Sequence, residues 1–428
     1  MEREATAAGR RVAVSGMGAV CGFGWGVGPL WEGLRSGRSG IRDFRRFDHS
    51  LHRTHVAAEA ADPPAGFSRA FPGWRRLSLS DRFALFVVAE ALAEAGIAVP
   101  FDSEGPEGPE GDTAAGVWFG SSTGGMYEGE RFFAEFFAKK GRRARLSALV
   151  SHSVNGPGDA VARHLGVTGP VQTISSACSS GALALGAALE AVRSGEVDVA
   201  IAGGSDSLCQ LTYAGFNALR SVDEEPCRPF RASRAGMSFG EGAAALVLEP
   251  LDRVLARGAV PLAELSGAGA SCDAHHMTAP EPSGAGAASA LAAALRDAGL
   301  PPSAVDFVNA HATGTPLNDA AEWRALERVF GARAGEIPVV ATKGLLGHLL
   351  GSSGAIEAVA TILCLLKGEL HPVPRCAEGA GVDPELSVAL VLDRPLPFPA
   401  ARVAVSTSLA FGGANAALVF SRWAGGPA

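Results

Sequence analysis

Cys178 stands where a β-branched run gives way to an Ala/Leu-rich one, in TISSACSSGALALGAALEAV, residues 173–192. PVQTIS reads as a strand and SSGALALGAALEAVRSG as a helix ending near Gly195, so Cys178 falls on the turn at the helix start. Unpaired N–H groups and the macrodipole favour negative charge there, which predicts a lowered thiol pKa and a nucleophile. Ser176, Ala177, Ser179, Ser180 and Gly181 are small enough for a tight turn and for close approach of a substrate. The other reading is a structural cysteine packed in an Ala-rich element. Partners for a nucleophile are at hand in the second half of the chain. VDFVNAHATGTPLNDAAEW places His311 just after an apolar run, with Thr313 and Thr315 in the glycine-containing loop behind it. VVATKGLLGHLLGSSGAIEAV places Lys343 and His348 at another strand-to-helix junction. One histidine after a strand is commonly structural, but two at element ends amid glycines shift the balance toward chemistry. Cys21, Cys209, Cys227, Cys272, Cys364 and Cys376 read as structural, and His49, His52, His55 and His371 as surface residues.

These residues must be held by an alternation of short apolar strands and helical segments. RVAVSGMGAV, GVWFGSSTGG, VDVAIAGGSDS, AAALVLEP, VDFVNAHATG and VAVSTSLAFGG are the strand signals, which together predict an α/β protein with buried sheets. Internal similarity divides the chain. FGEGAAALVLE from Phe239 matches FGGANAALVFS from Phe411, and SSGA from Ser179 recurs at Ser352. Ser15-Gly16-Met17-Gly18 echoes Ser266-Gly267-Ala268-Gly269. Three matches in the same order predict two copies of one unit, 1–258 and 259–428, meeting near 255–262. The Lys343–His348 junction is then the second copy's counterpart of the Cys178 region. FDSEGPEGPEGDTAAG, 101–116, reads as a flexible insertion, because its Gly, Pro and acidic residues bury little surface.

Composition excludes several classes. The 428 residues are 47% hydrophobic and 19% charged, as in a globular protein with a large core, and exceed a single ordinary domain. A net charge of −7 with scattered basic residues argues against nucleic acid as the main partner. The start, MEREATAAGRRVAV, has no apolar signal core, and no run of 18 uninterrupted apolar residues predicts a membrane span. The seven cysteines show neither a metal-binding spacing nor a dense disulfide framework, which points to a reducing cytoplasm and no metal.

With SSACSSG, NAHATGTPLND, TKGLLGHLLGSSGAIEA and SLAFGGANAALVF in this order, the chain resembles the elongating β-ketoacyl-acyl carrier protein synthases of the thiolase superfamily. VAVSGMGAV, SGRSGI, CRPF, GEGAAALVLE and CDAHHMTAP extend the resemblance from about residue 10 to about residue 420. It implies a thiolase-like fold, two related halves in a five-layered αβαβα arrangement, and a homodimer or a heterodimer with a ketosynthase-like paralogue. It implies a decarboxylative Claisen condensation in fatty acid or type II polyketide or polyene biosynthesis. An acyl chain on Cys178 would be extended by malonyl-acyl carrier protein, the substrates riding on the carrier's phosphopantetheine with no cofactor of the enzyme's own. The alternative is a non-catalytic, partner-dependent subunit that binds carrier protein and shapes a heterodimer cavity; chain-length-factor paralogues lack the nucleophile, so Cys178 favours the active form.

By the same resemblance, backbone N–H groups of Cys178 and Phe411 form an oxyanion hole, and Phe411 with Gly412 and Gly413 forms a gate. His311 and His348 stabilise the enolate, Lys343 supports the site, and Glu322 and Glu357 hold the lysine and its helix. Thr313, Thr315 and Thr278 contact pantetheine. Three departures from the family pattern stand out. Ala410 replaces a glycine of the gate loop, which predicts altered gating. Arg231 follows CRPF where an aspartate is usual. Thr123 occupies a position near the acyl-pocket floor that is larger and apolar in many relatives, which predicts a changed chain preference. The aromatic and basic run GERFFAEFFAKKGRR, 129–143, suits either a partner's pocket or an acidic carrier protein, or ordinary packing.

Overall fold

The structure is a computed structural model that describes residues 10–69, 71, 73–99, 114–139, 141, 144, 146–374 and 381–425. Most of the 101–116 insertion lies outside the described residues; its last two, Ala115 and Gly116, already belong to a strand.

Ten strands carry the duplication. In the first half these are β1 (Val12–Cys21), β2 (Ala115–Gly120), β3 (Val171–Ile174), β4 (Val199–Asp206) and β5 (Gly242–Pro250). The second half repeats them as β6 (Ala263–Cys272), β7 (Phe307–Asn309), β8 (Val339–Val340), β9 (Val403–Leu409) and β10 (Ala414–Ser421). Their spatial order is β8-β7-β9-β10-β6-β1-β5-β4-β2-β3, so each half has the same order read outward from the centre. The halves join where β1 and β6 pair antiparallel, through Ala13 with Glu264 and Val14 with Ala263.

Strand periodicity sorts side chains into layers. On β4, Val199 and Ile201 join a cluster with helices α1 (Leu79–Ala95) and α2 (Gly156–Leu165). Ala200 and Ala202 face the other way, toward α3 (Ser180–Ser194). In the second half, Val405 and Val419 pack with α4 (Ala285–Asp297) and α5 (Pro316–Phe330), whereas Ala404, Leu418 and Phe420 meet α6 (Ser353–Lys367). The result is five layers: outer helices, a sheet, the central pair α3 and α6, a sheet, and outer helices. The stretch Leu350–Lys367 is long and apolar enough to cross a membrane, but 89% of it is buried between the sheets. It is a core helix, apolar all round because it is covered all round.

The glycines common to both copies have a steric reason. A Cβ on Gly16 or Gly18 would lie 2.0 or 1.9 Å from carbonyl oxygens of α1. On Gly267 or Gly269 it would lie 2.5 or 2.2 Å from those of α4. Bare backbone thus lets an outer helix settle on the central strand of each half, and both strands carry a bulge just before the first of these glycines. Both central helices start at an SSGA segment and end on a left-handed glycine, Gly195 at φ 75° and Gly368 at φ 61°.

Candidate active site

Cys178 sits between β3 and the first turn of α3, on a backbone pinned by its small neighbours. Ala177 takes φ 44°, an unusual conformation for a residue with a Cβ. Its carbonyl accepts from Ser180 Oγ at 2.6 Å and from Ser122 Oγ at 3.0 Å, and Ser179 Oγ donates to the Ser176 carbonyl at 2.9 Å. The serines thus close the turn rather than line a pocket. The thiol is buried, and burial pushes its pKa up to about 11. Lys343 and the N–H groups of Phe411 and of Cys178 itself pull the other way. The lowered thiol pKa expected from sequence is therefore corrected: desolvation outweighs Lys343 and these N–H groups in the resting site.

His311 follows β7, and its backbone is held by Glu322 of α5. The carboxylate accepts from the His311 N–H at 2.7 Å, the Ala312 N–H at 2.8 Å and Thr407 Oγ1 at 2.7 Å. Glu322 thus anchors the histidine's loop and not the lysine. Glu357, on α6, does hold Lys343 through a buried ion pair, and Lys343 Nζ also lies 3.0 Å from His311 Nδ1. Burial raises the Glu357 pKa to about 7 against the pull of Lys343.

His348 precedes α6 in the counterpart turn. Its Nδ1 accepts from the Leu350 N–H at 3.0 Å, with Ser353 Oγ at 2.8 Å. A backbone N–H only donates, so the ring proton of neutral His348 sits on Nε2. Lys343 forces the same tautomer on His311. Both imidazoles are held well below their usual pKa, first by burial and then by the charge of Lys343. The rings meet edge to face with centroids 5.4 Å apart, and the Cys178 sulfur and one nitrogen of each ring lie within 4.8 Å of one another. His348 Nε2 is buried with no partner among the described residues. Such a trio has the spacing of a metal site, but its free nitrogens carry protons. They are donors for an oxyanion, and a cation would require both tautomers to reverse.

A cavity of about 290 Å3 opens on these groups, lined by Cys178, His311, His348, Phe411, Thr278 and the Thr313–Thr315 loop. The hydroxyls of Thr313 and Thr315 are 2.9 Å apart at its wall. Phe411 stacks on Phe216, centroids 5.1 Å apart, a partner that sequence reading missed because one aromatic in a helical run carries no signal of its own. Gly412 and Gly413 take φ 83° and 77°, which require glycine, whereas Ala410 is extended at φ −128°. Alanine therefore fits Ala410's conformation without strain.

Other expectations are revised. Thr123 is not among the residues lining this cavity; its hydroxyl and N–H both donate to Asp206 at 2.8 Å. Asp206 itself was missed, although a carboxylate closing the apolar run VDVAIAGGSD was a usable signal. Arg231 is buried and donates to the Pro374 carbonyl at 3.2 Å. His371 is not on the surface but fully buried beside Thr342 Oγ1 at 3.2 Å, with its pKa lowered to about 4 by burial. Cys272 is exposed, unlike Cys21, Cys209, Cys227 and Cys364, and Cys376 lies outside the described residues. In the 129–143 run, Phe132 is buried on helix Met126–Ala138 while Phe133 and Phe137 are exposed, and its basic end lies mostly outside the described residues.

A duplicated α/β core with a thiol at one central helix and two imidazole donors from the other half defines a thiolase-like enzyme. Residues 9–253 match the β-ketoacyl synthase N-terminal domain and 262–377 the C-terminal domain. The 3-oxoacyl-[acyl-carrier-protein] synthase 2 of Staphylococcus aureus (strain COL) is 33% identical over 97% of this chain and 99% of its own length. The synthase of the same name from Synechocystis sp. is 35% identical over 97% and 98%. Among solved structures, the ishigamide ketosynthase/chain length factor superposes with a TM-score of 0.89 at 32% identity, covering 97% of this chain and 100% of that one. A type II PKS acyl-carrier protein in complex with its ketosynthase gives 0.84 at 27% identity, with the same two coverages. The chain belongs to the β-ketoacyl synthase family of the thiolase superfamily.

Proposed function

We propose that this acyltransferase is a β-ketoacyl-acyl carrier protein synthase that loads an acyl chain on Cys178 and joins it to a malonyl unit with loss of CO2. One observation carries the reading: a thiol and one nitrogen of each of two imidazoles lie within 4.8 Å of one another in the wall of one cavity, and each ring's Nδ1 is taken up by a donor. Cys178 Sγ attacks the thioester carbonyl of an acyl-carrier protein, and its proton leaves with the pantetheine sulfur as a thiol. The N–H groups of Cys178 and Phe411, both directed at the sulfur, are placed to receive the tetrahedral oxyanion. Malonyl-carrier protein then loses CO2, and the electron pair passes to the thioester oxygen as an enolate. The Nε2–H groups of His311 and His348 stabilise that oxygen. The enolate carbon attacks the Cys178 thioester and expels the cysteine as a thiolate, which regains its proton from solvent, releasing a β-ketoacyl chain two carbons longer.

Neutral imidazoles suit this step better than imidazolium ions, because they keep Lys343 as the single positive charge behind the site. The pantetheine arm fits the Thr313–Thr315 wall, with Thr278 at its edge, and it arrives on the carrier protein, so the reaction draws on no cofactor or metal of the enzyme's own. A second cavity of about 710 Å3, faced by Arg46, Arg75, Arg76, Arg82 and Arg131 against Asp62, Glu128 and Glu135, has a basic excess that supports a face for an acidic carrier protein. The likeness to ketosynthase/chain length factor structures supports a paralogous partner.

The test is an intact-mass assay with a panel of acyl-carrier proteins followed by malonyl-carrier protein. Acyl mass on the parent but not on Cys178→Ala, and a ketoacyl carrier two carbons longer, is the expected result. Absence of loading with every primer, alone and with a co-expressed paralogue, would overturn the reading.

A further inference from the structure

Asp206 closes strand β4 and is 1% exposed, yet it takes no part in the chemistry above. Five donors converge on its carboxylate. Oδ1 accepts from Ser121 Oγ at 2.7 Å and from the Thr123 N–H and Oγ1 at 2.8 Å each. The Ser122 N–H lies 3.0 Å from both oxygens, and Oδ2 accepts from the Gly351 N–H at 2.7 Å. Four of these donors belong to the first half of the chain and the fifth to the second.

Each side leads to a reacting group in one further step. Ser122 Oγ donates at 3.0 Å to the carbonyl of Ala177, the residue that carries the strained φ immediately before Cys178. Gly351 follows Leu350, which has the matching strain at φ 54° and whose N–H fixes the tautomer of His348. One carboxylate is thus one residue removed from the nucleophile's turn and one removed from the imidazole's turn.

We propose that Asp206 is a positioning residue that braces both turns and sets the Cys178 sulfur against the His348 donor. Why that alignment matters rests on the condensing reading; the brace itself is a matter of geometry. The role calls for a group that only accepts. Every partner donates, so an amide would turn an N–H against one of them and release one side of the brace. Gly351 is held to glycine by the same contact, since a Cβ there would lie 2.8 Å from Asp206 Oδ2 and 2.7 Å from Ser122 Oγ. The hydroxyl of Thr123 is one of the five donors.

Asp206→Asn and Ser122→Ala in the full chain test this, with thermal unfolding to check folding. The first readout is alkylation of Cys178 by iodoacetamide, followed by intact mass from pH 7 to 10; the second is acyl loading, malonyl-carrier decarboxylation, kcat and KM. Asp206→Asn is expected to slow alkylation by about tenfold or more and to lower kcat for both half-reactions, with KM for the carrier protein within about twofold. Ser122→Ala, whose lost hydroxyl hydrogen-bonds the Cys178 turn and only abuts Gly351, is expected to slow alkylation and acyl loading and to leave decarboxylation unchanged. Glu249→Gln, at another fully buried carboxylate paired with Arg253 and Arg257, serves as the control for general loosening and should leave alkylation unchanged. A folded Asp206→Asn protein that alkylates at the parent rate overturns the proposal. Should that variant fail to fold, Ser122→Ala decides: equal effects on both half-reactions, or none, overturn it. Alkylation needs no substrate, so a parent that alkylates but does not condense sinks the condensing reading while the brace is still measured.

Discussion

The turn before α3 and the turn before α6 are two copies of one piece of backbone. Each has a non-glycine residue at positive φ, Ala177 at 44° and Leu350 at 54°, two residues before its SSGA segment. Each feeds a buried central helix. The residue after the strained one differs: Cys178 in the first copy, Gly351 in the second. Gly351 cannot carry a side chain, because Ser122 and Asp206 occupy the space, so its contribution is an N–H. The second copy acts instead through His348, which reaches across to the first copy's thiol. The lesson is that duplication supplied a helix start twice, and in the second copy the space that a side chain would need is already occupied.

Substitutions at the two turns can break this asymmetry, beginning with the largest effect. Cys178→Ala should reduce condensation at least ~1,000-fold, with a fold intact by circular dichroism, since the thiol is the proposed acceptor of the acyl chain. His348→Ala should lower malonyl-carrier decarboxylation by ~100- to 1,000-fold, measured as CO2 release, while acyl loading of Cys178 stays within about threefold. Equal losses in both half-reactions would mean that His348 serves the thiol and not the enolate. Gly351→Ala should cost about 1–3 kcal/mol in urea unfolding through overpacking, and should also lower activity.

Protonation sharpens the contrast. The Cys178 pKa of about 11 lies above the assay range, so its alkylation should rise about tenfold per pH unit from pH 7 to 10 without a plateau. Both imidazoles are held well below their usual value and are neutral throughout, so decarboxylation should be flat from pH 6 to 8. A decarboxylation rate that fell as the pH dropped from 8 to 6 would show an imidazole titrating in that range. Smallest of all, Ala177→Gly should be neutral or stabilising by less than ~1 kcal/mol, because it relieves positive φ with little packing to lose. Leu350→Gly should instead destabilise by about 2 kcal/mol, because it removes a buried side chain.

Sequence alone reveals the duplication, because glycines in β1 and β6 and the SSGA starts answer to contacts too close for any other residue. It also locates Cys178, His311, Lys343 and His348 at element ends. Burial is what it does not convey. Cys178 looked like a helix-start thiolate, but its pKa depends on how much water the second half excludes. His371 looked exposed because its neighbours in sequence say nothing of the layer that covers it. Thr123 and Glu322 were assigned by the family resemblance, and their partners, Asp206 and the His311 loop, come from other elements. Asp206 itself is a single carboxylate among many until Gly351 is brought to it from the other half.

The seam between the halves has a consequence of its own. The repeat that aligns Ser15 with Ser266 also aligns Ala13 with Glu264, and these two residues are paired across β1 and β6. A position that faces its own copy in an antiparallel pair lies on a twofold axis. That is the geometry of a symmetric dimer, in which one patch is its own complement. The central seam of this chain is thus an interface that a half-length ancestor could have made with itself, and tethering the two copies left each free to lose what the other kept.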